Sequence, residues 1–377
     1  MTTLGDEWLP WLRLSQALGI GRVRANVLLE RYGTPENVFA QEERALVADA
    51  GLPAGVAAQL VSAEGEREAK NERARLEKLG VQLVHLRHPD YPELLREIHF
   101  PPVLLGRLGT LVEPGRKVVA IVGSRNAGLR ALRFARTVAR DLAEAGVVVV
   151  SGLARGVDRA AHEGALDADE GRTIAVLGCG LARVYPSEHA ELAARIKERG
   201  ALVSEFAVDA SPSGAHFPMR NRIIAGLALG TLVIAAGDRS GALITASHSI
   251  ENGREVFAVP GPVDDPLSRG TNKLLKESGA HLVEGADDVL LNLELKKQEP
   301  NVDPRPPLVA RRRPPPLPGV PGEVETYLAD ASRPCTFEEI VFDVGIDARA
   351  AMSALGILAT RRRIQELPGI GYAIADA

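Results

Sequence analysis

The chain lacks the features that mark several large classes of protein. Two of its 377 residues are cysteine, Cys179 and Cys335, which is too few for a disulfide framework and favours a reducing, cytoplasmic location. No apolar run approaches the ~20 residues that a membrane-spanning helix needs. The N-terminal residues MTTLGDEWLP have neither the basic nor the apolar segment of a secretory signal. We therefore expect a cytoplasmic protein without a membrane span.

The chain also lacks an excess of positive charge. Its formal net charge is −4, so the whole molecule is not a basic nucleic-acid binder, and any contact with DNA must come from a local patch. The eight histidines are scattered, and His85-x-x-His88 alone does not make a metal site. Because no Walker lysine or nucleophile elbow is present either, we predict no metal, no cofactor and no catalytic residue.

The N-terminal residues 1–75 are helical in pattern and predict a small helix-hairpin-helix or SAM-like module. Gly19 and Gly21 form a turn before an amphipathic stretch that ends at Gly33. This turn either presents backbone N–H groups to a nucleic-acid phosphate or belongs to a module that only packs.

Residues 81–295 alternate strands with helices, which indicates an α/β domain. We predict a Rossmann-like, doubly wound and mainly parallel sheet. Several of its strands are continuous apolar runs, as strands buried on both faces should be. The predicted strands lie near 81–86, 117–122, 147–151, 173–177, 201–204, 231–236, 255–259 and 281–284.

The remaining residues predict a linker and a second domain. Residues 296–318 are rich in proline and arginine, which is typical of a semi-rigid linker. Residues 319–377 predict a winged-helix-like domain of three short helices and a two-stranded wing at 364–375. Its arginines at 361–363 form either a DNA patch or a solvated helix end that complements the helix dipole.

Small and basic residues follow several of the predicted strands. Because carboxyl ends of parallel strands lie along one edge, we expect these groups to converge and hold a phosphate or a row of phosphates. Phe217 either stacks under a base or packs in the core. The other candidate residues are Gly123, Ser124 and Arg125, then Ser151, Gly152 and Arg155, then Arg220, Asn221 and Arg222, and finally Ser240, Gly241 and Thr245.

Two further patterns are weaker. The helix expected after Arg125 carries four arginines on one side, Arg130, Arg133, Arg136 and Arg140. This basic face is either a DNA site or, as we favour, solvated surface. Asp158 and His162 lie four residues apart on a helix. They form either an acid/base pair or, as we favour, a site where a buried histidine bonded to its neighbour fixes the turn.

Six ordered blocks carry a resemblance to a known family. Together GSR, SGLARGVDRAAH, TIAVLGCGL, FP-x-RNRIIAGL, SGALITA and GREVFAVPG resemble the DNA-processing protein A (DprA/Smf) family over roughly residues 81–285. The resemblance implies a single-stranded DNA-binding protein of natural transformation, which protects incoming strands. It further implies that the protein loads RecA recombinase onto DNA coated by single-strand-binding protein, and that it is a homodimer. The DNA pocket implied by the motifs includes Gly123, Ser124 and Arg125, with Phe217, Arg220, Asn221 and Arg222 nearby.

Two other functions stay open. One is a Rossmann-type nucleotide hydrolase of the lysine-decarboxylase-like group, although Ala235 stands where relatives often have a glutamate. The other makes the C-terminal domain a regulator that binds double-stranded DNA. The binding hypothesis predicts no turnover of AMP, and at most a partial loss of DNA binding when the chain is truncated after residue 295.

Overall fold

The computed structural model describes residues 4–50, 52–111, 115–298, 318–330, 335–361, 363–367 and 371–374. The chain divides into two compact units, residues 1–298 and 299–377. Most of the linker predicted at 296–318 lies outside the described residues. The last helix of the first unit ends at Gln298.

The first unit begins with a group of helices. A 3-10 turn at Asp6–Trp8 is followed by α1 (Leu9–Gln16), α2 (Arg22–Tyr32), α3 (Pro35–Phe39), α4 (Glu43–Ala50), α5 (Ala54–Val61) and α6 (Ala63–Leu79). The turn between α1 and α2 contains Gly19 at φ 76°, a left-handed conformation that favours glycine. The helix, glycine turn and helix that the sequence predicts around residues 18–33 are therefore present.

Strands and helices then alternate. The strands are β1 (Gln82–His85), β2 (Leu104–Gly109), β3 (Val118–Val122), β4 (Val148–Ser151), β5 (Thr173–Val176), β6 (Ala201–Ser204), β7 (Gly230–Val233), β8 (Glu255–Ala258) and β9 (His281–Leu282). The helices among them are α7 (Glu93–Arg96), α8 (Leu129–Glu144), α9 (Val157–Asp167), α10 (Ala190–Arg199), α11 (His216–Gly226), α12 (Gly241–Glu251), α13 (Arg269–Glu277) and α14 (Ala286–Gln298).

The strands form one sheet in the order β1-β2-β6-β5-β4-β3-β7-β8-β9. The seven strands from β6 to β9 in this order are parallel, and β2 is antiparallel to both of its neighbours. Each predicted strand overlaps an observed one, so the predicted Rossmann-like, mainly parallel sheet is confirmed.

The sheet is covered on both faces, as the apolar runs predict. In β3, Val118, Ala120 and Val122 belong to one hydrophobic cluster, whereas Val119 and Ile121 belong to another. Successive side chains of a strand point to opposite faces, so each face of β3 has its own core. This arrangement is the doubly wound one.

The sequence prediction missed β2. Its residues, LLGRLG, contain two glycines and an arginine and show no run of β-branched residues. The strand forms because it pairs with β1 on one side and with β6 on the other. Pairing between distant segments therefore outweighs a weak local preference.

A buried carboxylate joins the N-terminal helices to the sheet. Glu72 on α6 is 1% exposed, and its Oε1 accepts a hydrogen bond of 2.6 Å from the backbone N–H of Val208, beyond the end of β6. Its Oε2 accepts from Arg75 at 2.7 Å. A hydrophobic cluster continues across the same boundary, from Leu76 on α6 to Leu83 on β1. The N-terminal helices thus share a core with the sheet.

The second unit has the winged-helix arrangement that the sequence predicts. It contains α15 (Val320–Asp330), α16 (Phe337–Val344), α17 (Ala348–Thr360), β10 (Ile364–Leu367) and β11 (Gly371–Ile374), and the two strands pair antiparallel. Thr336 caps α16 in a capping box with Glu339. Arg363 pairs with Glu325 at 2.9 Å, and Arg362 lies outside the described residues. Within the ranges described, no helix of either unit is long and apolar enough to cross a membrane.

Replacing Glu72 tests the junction between the helices and the sheet. We expect Glu72→Ala to lower the free energy of unfolding by about 2 kcal/mol, because the buried N–H of Val208 loses its acceptor. Urea unfolding measures the change. Glu64→Ala on the same helix is the control, since the Glu64–Arg67 pair is exposed and weak. Equal effects of the two substitutions would show that Glu72 does not join the two parts.

Candidate nucleic-acid interface

The loop after β3 lies at the point where the order of strand addition reverses. From β3 the chain proceeds to β4, β5 and β6 on one side, and then returns to β7 on the other side of β3. Ligands of open α/β sheets bind at the carboxyl edge beside such a switch point. The segment Gly123–Arg125 directly follows β3 and therefore occupies this position.

Backbone hydrogen bonds fix the loop after β3. The N–H of Ser124 donates to Ala235 O at 2.7 Å, and the carbonyl of Ser124 accepts from the N–H of Val157 at 3.3 Å. Gly123 has no room for a side chain, because an added Cβ would lie 2.6 Å from Val157 Cγ2. α8 begins at Leu129, so this segment precedes the helix rather than forming its first turn.

Arg125 and two aromatic rings form the exposed part of the site. The Arg125 side chain is exposed, and its guanidinium carbon lies 5.0 Å from the centroid of the Phe217 ring. The Phe217 ring lies against Gly178, where an added Cβ would be 2.7 Å from Cδ1. The centroid of the Tyr185 ring is 5.5 Å from that of Phe217, and Tyr185 is 41% exposed. The sequence prediction missed Tyr185, although an aromatic residue soon after a glycine-rich strand end was a usable signal.

Arg220 and Arg222 do not join Arg125 in one row. The sequence prediction groups them with the segments that follow strands, and this is wrong, because both lie within α11, which begins at His216. Residues two apart on a helix point to different sides. Their guanidinium groups are consequently buried in different places, at 3% and 4% exposure.

Arg220 points beneath the loop after β4. Its Nη1 donates to Val176 O at the end of β5, and an added Cβ at Gly152 would lie 1.9 Å from the same nitrogen. Gly152 therefore lacks a side chain because a guanidinium group occupies that volume. Burial lowers the pKa of Arg220 to about 10, while the nearby Asp158 carboxylate opposes this shift.

Arg222 forms a buried ion pair with Glu205, beyond the end of β6. Burial lowers the pKa of Arg222 and raises the pKa of Glu205, and the attraction between the two charges opposes both shifts. Arg222 therefore does not present its charge to a ligand at the strand ends.

The remaining candidates divide between buried and exposed positions. Ser151 is buried, and its hydroxyl donates to Ile121 O at 2.6 Å. Thr245 is also buried, at 1% exposure. Arg155 is exposed but paired with Glu188, its Nη2 donating to Oε2 at 2.8 Å. Neither candidate side chain at the end of β4, that of Ser151 or that of Arg155, is thus both exposed and unpaired in the described part of the chain.

The start of α12 is held by the helix before it. Ser240 is the N-cap residue, and its hydroxyl accepts from the N–H of Ala242 at 3.3 Å. The Nδ2 of Asn221 donates to Gly241 O at 3.2 Å. Gly241 is exposed, with open space where a Cβ would stand. Asn221 therefore holds the first residue of α12 in place.

Asp158 and His162 have structural roles. Asp158 Oδ2 accepts from the backbone N–H groups of Gly152 and Ala154 at 3.2 and 3.3 Å. His162 Nε2 accepts from the N–H of Leu153 at 3.3 Å, and its Nδ1 lies 2.7 Å from Thr173 Oγ1. The Thr173 hydroxyl donates to Val149 O, so His162 is neutral with its proton on Nδ1. His162 is therefore a buried histidine that fixes the turn, as we favoured, but it bonds to Leu153 and Thr173 and not to its neighbour Asp158.

Comparison with known proteins decides the family. The family model for DNA recombination-mediator protein A matches residues 82–294, which is more than half of the chain. The chain belongs to this family. In the family's Smf protein from Escherichia coli, 46% of residues are identical over 204 positions, which cover 54% of this chain and 54% of that protein. The chain thus spans about half the length of this relative.

Two solved structures of DNA processing protein A resemble this chain. DNA processing protein A from Streptococcus pneumoniae has a TM-score of 0.65 and 35% identity, covering 77% of this chain and 98% of that one. DNA processing protein A from Helicobacter pylori has a TM-score of 0.50 and 28% identity, covering 58% of this chain and 96% of that one. The Helicobacter pylori structure concerns the single-stranded DNA binding mode of that protein.

The titration of His162 gives a prediction for stability. Complete burial lowers its pKa to about 3, whereas an unfolded chain takes up this proton near the ordinary value of 6.5. Stability is therefore lost as the pH falls from 6.5 towards 3. Between about pH 7.5 and pH 5 the expected loss is about 2 kcal/mol.

Urea unfolding at these two pH values checks the prediction with His162→Asn. This variant should be less stable than the wild type at the higher pH but less dependent on pH. His99→Asn, at an exposed histidine, serves as the control and should keep the dependence of the wild type. An unchanged pH dependence in His162→Asn would contradict the assignment.

Proposed function

We propose that this protein binds single-stranded DNA without sequence preference along the carboxyl edge of its sheet. The observation that carries the proposal is the exposed Arg125 guanidinium over the ring of Phe217, at the switch point of the sheet. Membership of the recombination-mediator family and the single-stranded DNA binding of the Helicobacter pylori relative support it.

The chemistry of these side chains suits a single strand. A guanidinium group that lies over an aromatic ring can still direct its N–H groups at phosphate oxygens. The neighbouring rings of Phe217 and Tyr185 offer surfaces on which unpaired bases can stack, which duplex DNA does not present. Stacking and phosphate contacts do not distinguish base edges, so binding is independent of sequence.

Backbone and hydroxyl groups complete the proposed phosphate site. The hydroxyl of Ser124 accepts from the N–H of Asn126 at 3.1 Å, which leaves its own hydrogen to donate to a phosphate. The absence of a side chain at Gly123 lets the loop pack directly against Val157, which holds Ser124 and Arg125 in place. At the start of α12, the open space beside Gly241 extends the same edge.

The buried arginines act indirectly in this proposal. Arg220 keeps a positive charge beneath Gly152 and supports the loop that flanks Arg125. Arg222 anchors α11 through Glu205, and α11 carries Phe217. Both arginines therefore position the site instead of gripping the strand.

We infer a wider role from the family. A recombination mediator that holds single strands would protect incoming DNA during natural transformation and load RecA recombinase onto it. The same inference covers a homodimer and contact with DNA coated by single-strand-binding protein. The time that RecA takes to form filaments on such coated DNA, with and without this protein, tests the role. No shortening of that lag would contradict it.

We propose that the site binds without turnover. Two carboxylates beside candidate residues have other partners, since Asp158 accepts from backbone N–H groups and Glu188 pairs with Arg155. Ala235 supplies no carboxylate at the end of β7. Incubating the purified protein with AMP should therefore release neither adenine nor ribose phosphate. Robust release would favour the nucleotide hydrolase instead.

Replacing Arg125 tests the binding site. Arg125→Ala should weaken binding to single strands of any sequence about tenfold, or about 1.4 kcal/mol, because a phosphate contact is lost. The slope of log K against log salt should become shallower by about 0.7, the value for one phosphate of a single strand. Fluorescence anisotropy with oligonucleotides at several salt concentrations measures both quantities.

Two further variants sharpen this experiment. Arg125→Lys keeps the charge but lacks the planar fork, so its affinity should fall between those of the wild type and Arg125→Ala. Arg140→Ala removes the same charge from an exposed position paired with Asp141, and should leave affinity unchanged. An unchanged affinity of Arg125→Ala for single strands would contradict the proposed site.

A further inference from the structure

The four arginines along one side of α8 have unequal surroundings. Arg136 is bound by the next helix, its Nη2 donating to Asp167 Oδ1 at 2.9 Å. Arg140 pairs with Asp141 at 2.7 Å and lies 3.6 Å from Glu144. Arg130 and Arg133 are exposed, and neither pairs with a carboxylate among the residues that the structure describes. The first half of this face is therefore positive, and the second half is neutralised.

The positive half lies beside the proposed DNA site. α8 connects two parallel neighbours, β3 and β4, so it runs back across the sheet from the carboxyl edge. Its first residue, Leu129, is four positions after Arg125. The unpaired arginines are thus near the strand-end loops, whereas the paired ones are towards the opposite edge.

The acidic groups of α9 mark the boundary between the two halves. Glu163 lies 3.8 Å from Arg136 and 2.7 Å from Arg159, and Asp167 binds Arg136 further along. A polyanion that follows α8 beyond Arg133 would meet these carboxylates. The charge distribution therefore attracts a phosphate chain over the first turns and offers it no net attraction further on.

We propose that a single strand leaving the strand-end site continues over the first turns of α8, where Arg130 and Arg133 contact its phosphates. Residues three apart on a helix are neighbours, with about 5–6 Å between their Cβ atoms. The two side chains can therefore contact phosphates of the same DNA strand. This inference rests on the proposed function and extends its site. For Arg130 and Arg133, it replaces the earlier interpretation of the basic face as solvated surface. That interpretation is kept for Arg136 and Arg140.

The length of the strand separates this extension from the site itself. The double variant Arg130→Ala/Arg133→Ala should bind an oligonucleotide of about 5 nucleotides as the wild type does, because that length fits within the strand-end site. With about 20 nucleotides its affinity should fall about tenfold, and its salt slope should become shallower by about 1.4, for two phosphates. Anisotropy titrations with both lengths measure these effects.

The same helix supplies a matched control. Arg136→Ala/Arg140→Ala removes the same charge from the same face and should leave both affinities unchanged. If the two double variants lose affinity equally, or if neither does, the path over α8 is wrong. Arg125→Ala tests the underlying site independently, because it should weaken binding of both lengths. Failure of that result alone would reject the proposed function, whereas failure of the length dependence alone would reject only the extension.

Discussion

The buried guanidinium of Arg220 is the contact on which the candidate site depends. It joins three separate segments, since it donates to the end of β5, occupies the volume left free at Gly152 and lies near the Asp158 carboxylate. A cation buried in this way is stable only where such partners replace its lost hydration. Phe217 is one turn earlier on the same helix, so the position of its ring above Gly178 follows from the anchoring of Arg220.

The arginines of the first unit accordingly have two kinds of role. Arg220 and Arg222 are inside and fix α11 against the strand ends, at the cost of desolvating two charges. Arg125 remains outside and keeps its N–H groups available to an anion. A protein with a net charge of −4 can in this way present a local positive surface without a basic overall composition.

Local sequence predicted the sheet well but predicted the orientation of the arginines poorly. Runs such as VVAIV indicate strands buried on both faces, and the glycine-rich segments after them indicate which edge carries the proposed site. Whether an arginine is buried depends instead on distant partners, such as Glu205 for Arg222 and the carbonyl of Val176 for Arg220. These partners are 17 and 44 residues away in the chain, and a periodic pattern of apolar and polar residues does not identify contacts at such separations. β2 was missed for the same reason, because its neighbours in the sheet define it.

The close fit between Gly152 and Arg220 has a consequence for how such a protein can change over evolutionary time. A methyl group at position 152 would overlap the guanidinium, and a shorter residue at position 220 would leave the carbonyl of Val176 and the Asp158 carboxylate without their cation. Neither position can therefore drift by itself. We expect lineages to retain the two residues together or to exchange them together. Any intermediate sequence would have a less stable fold.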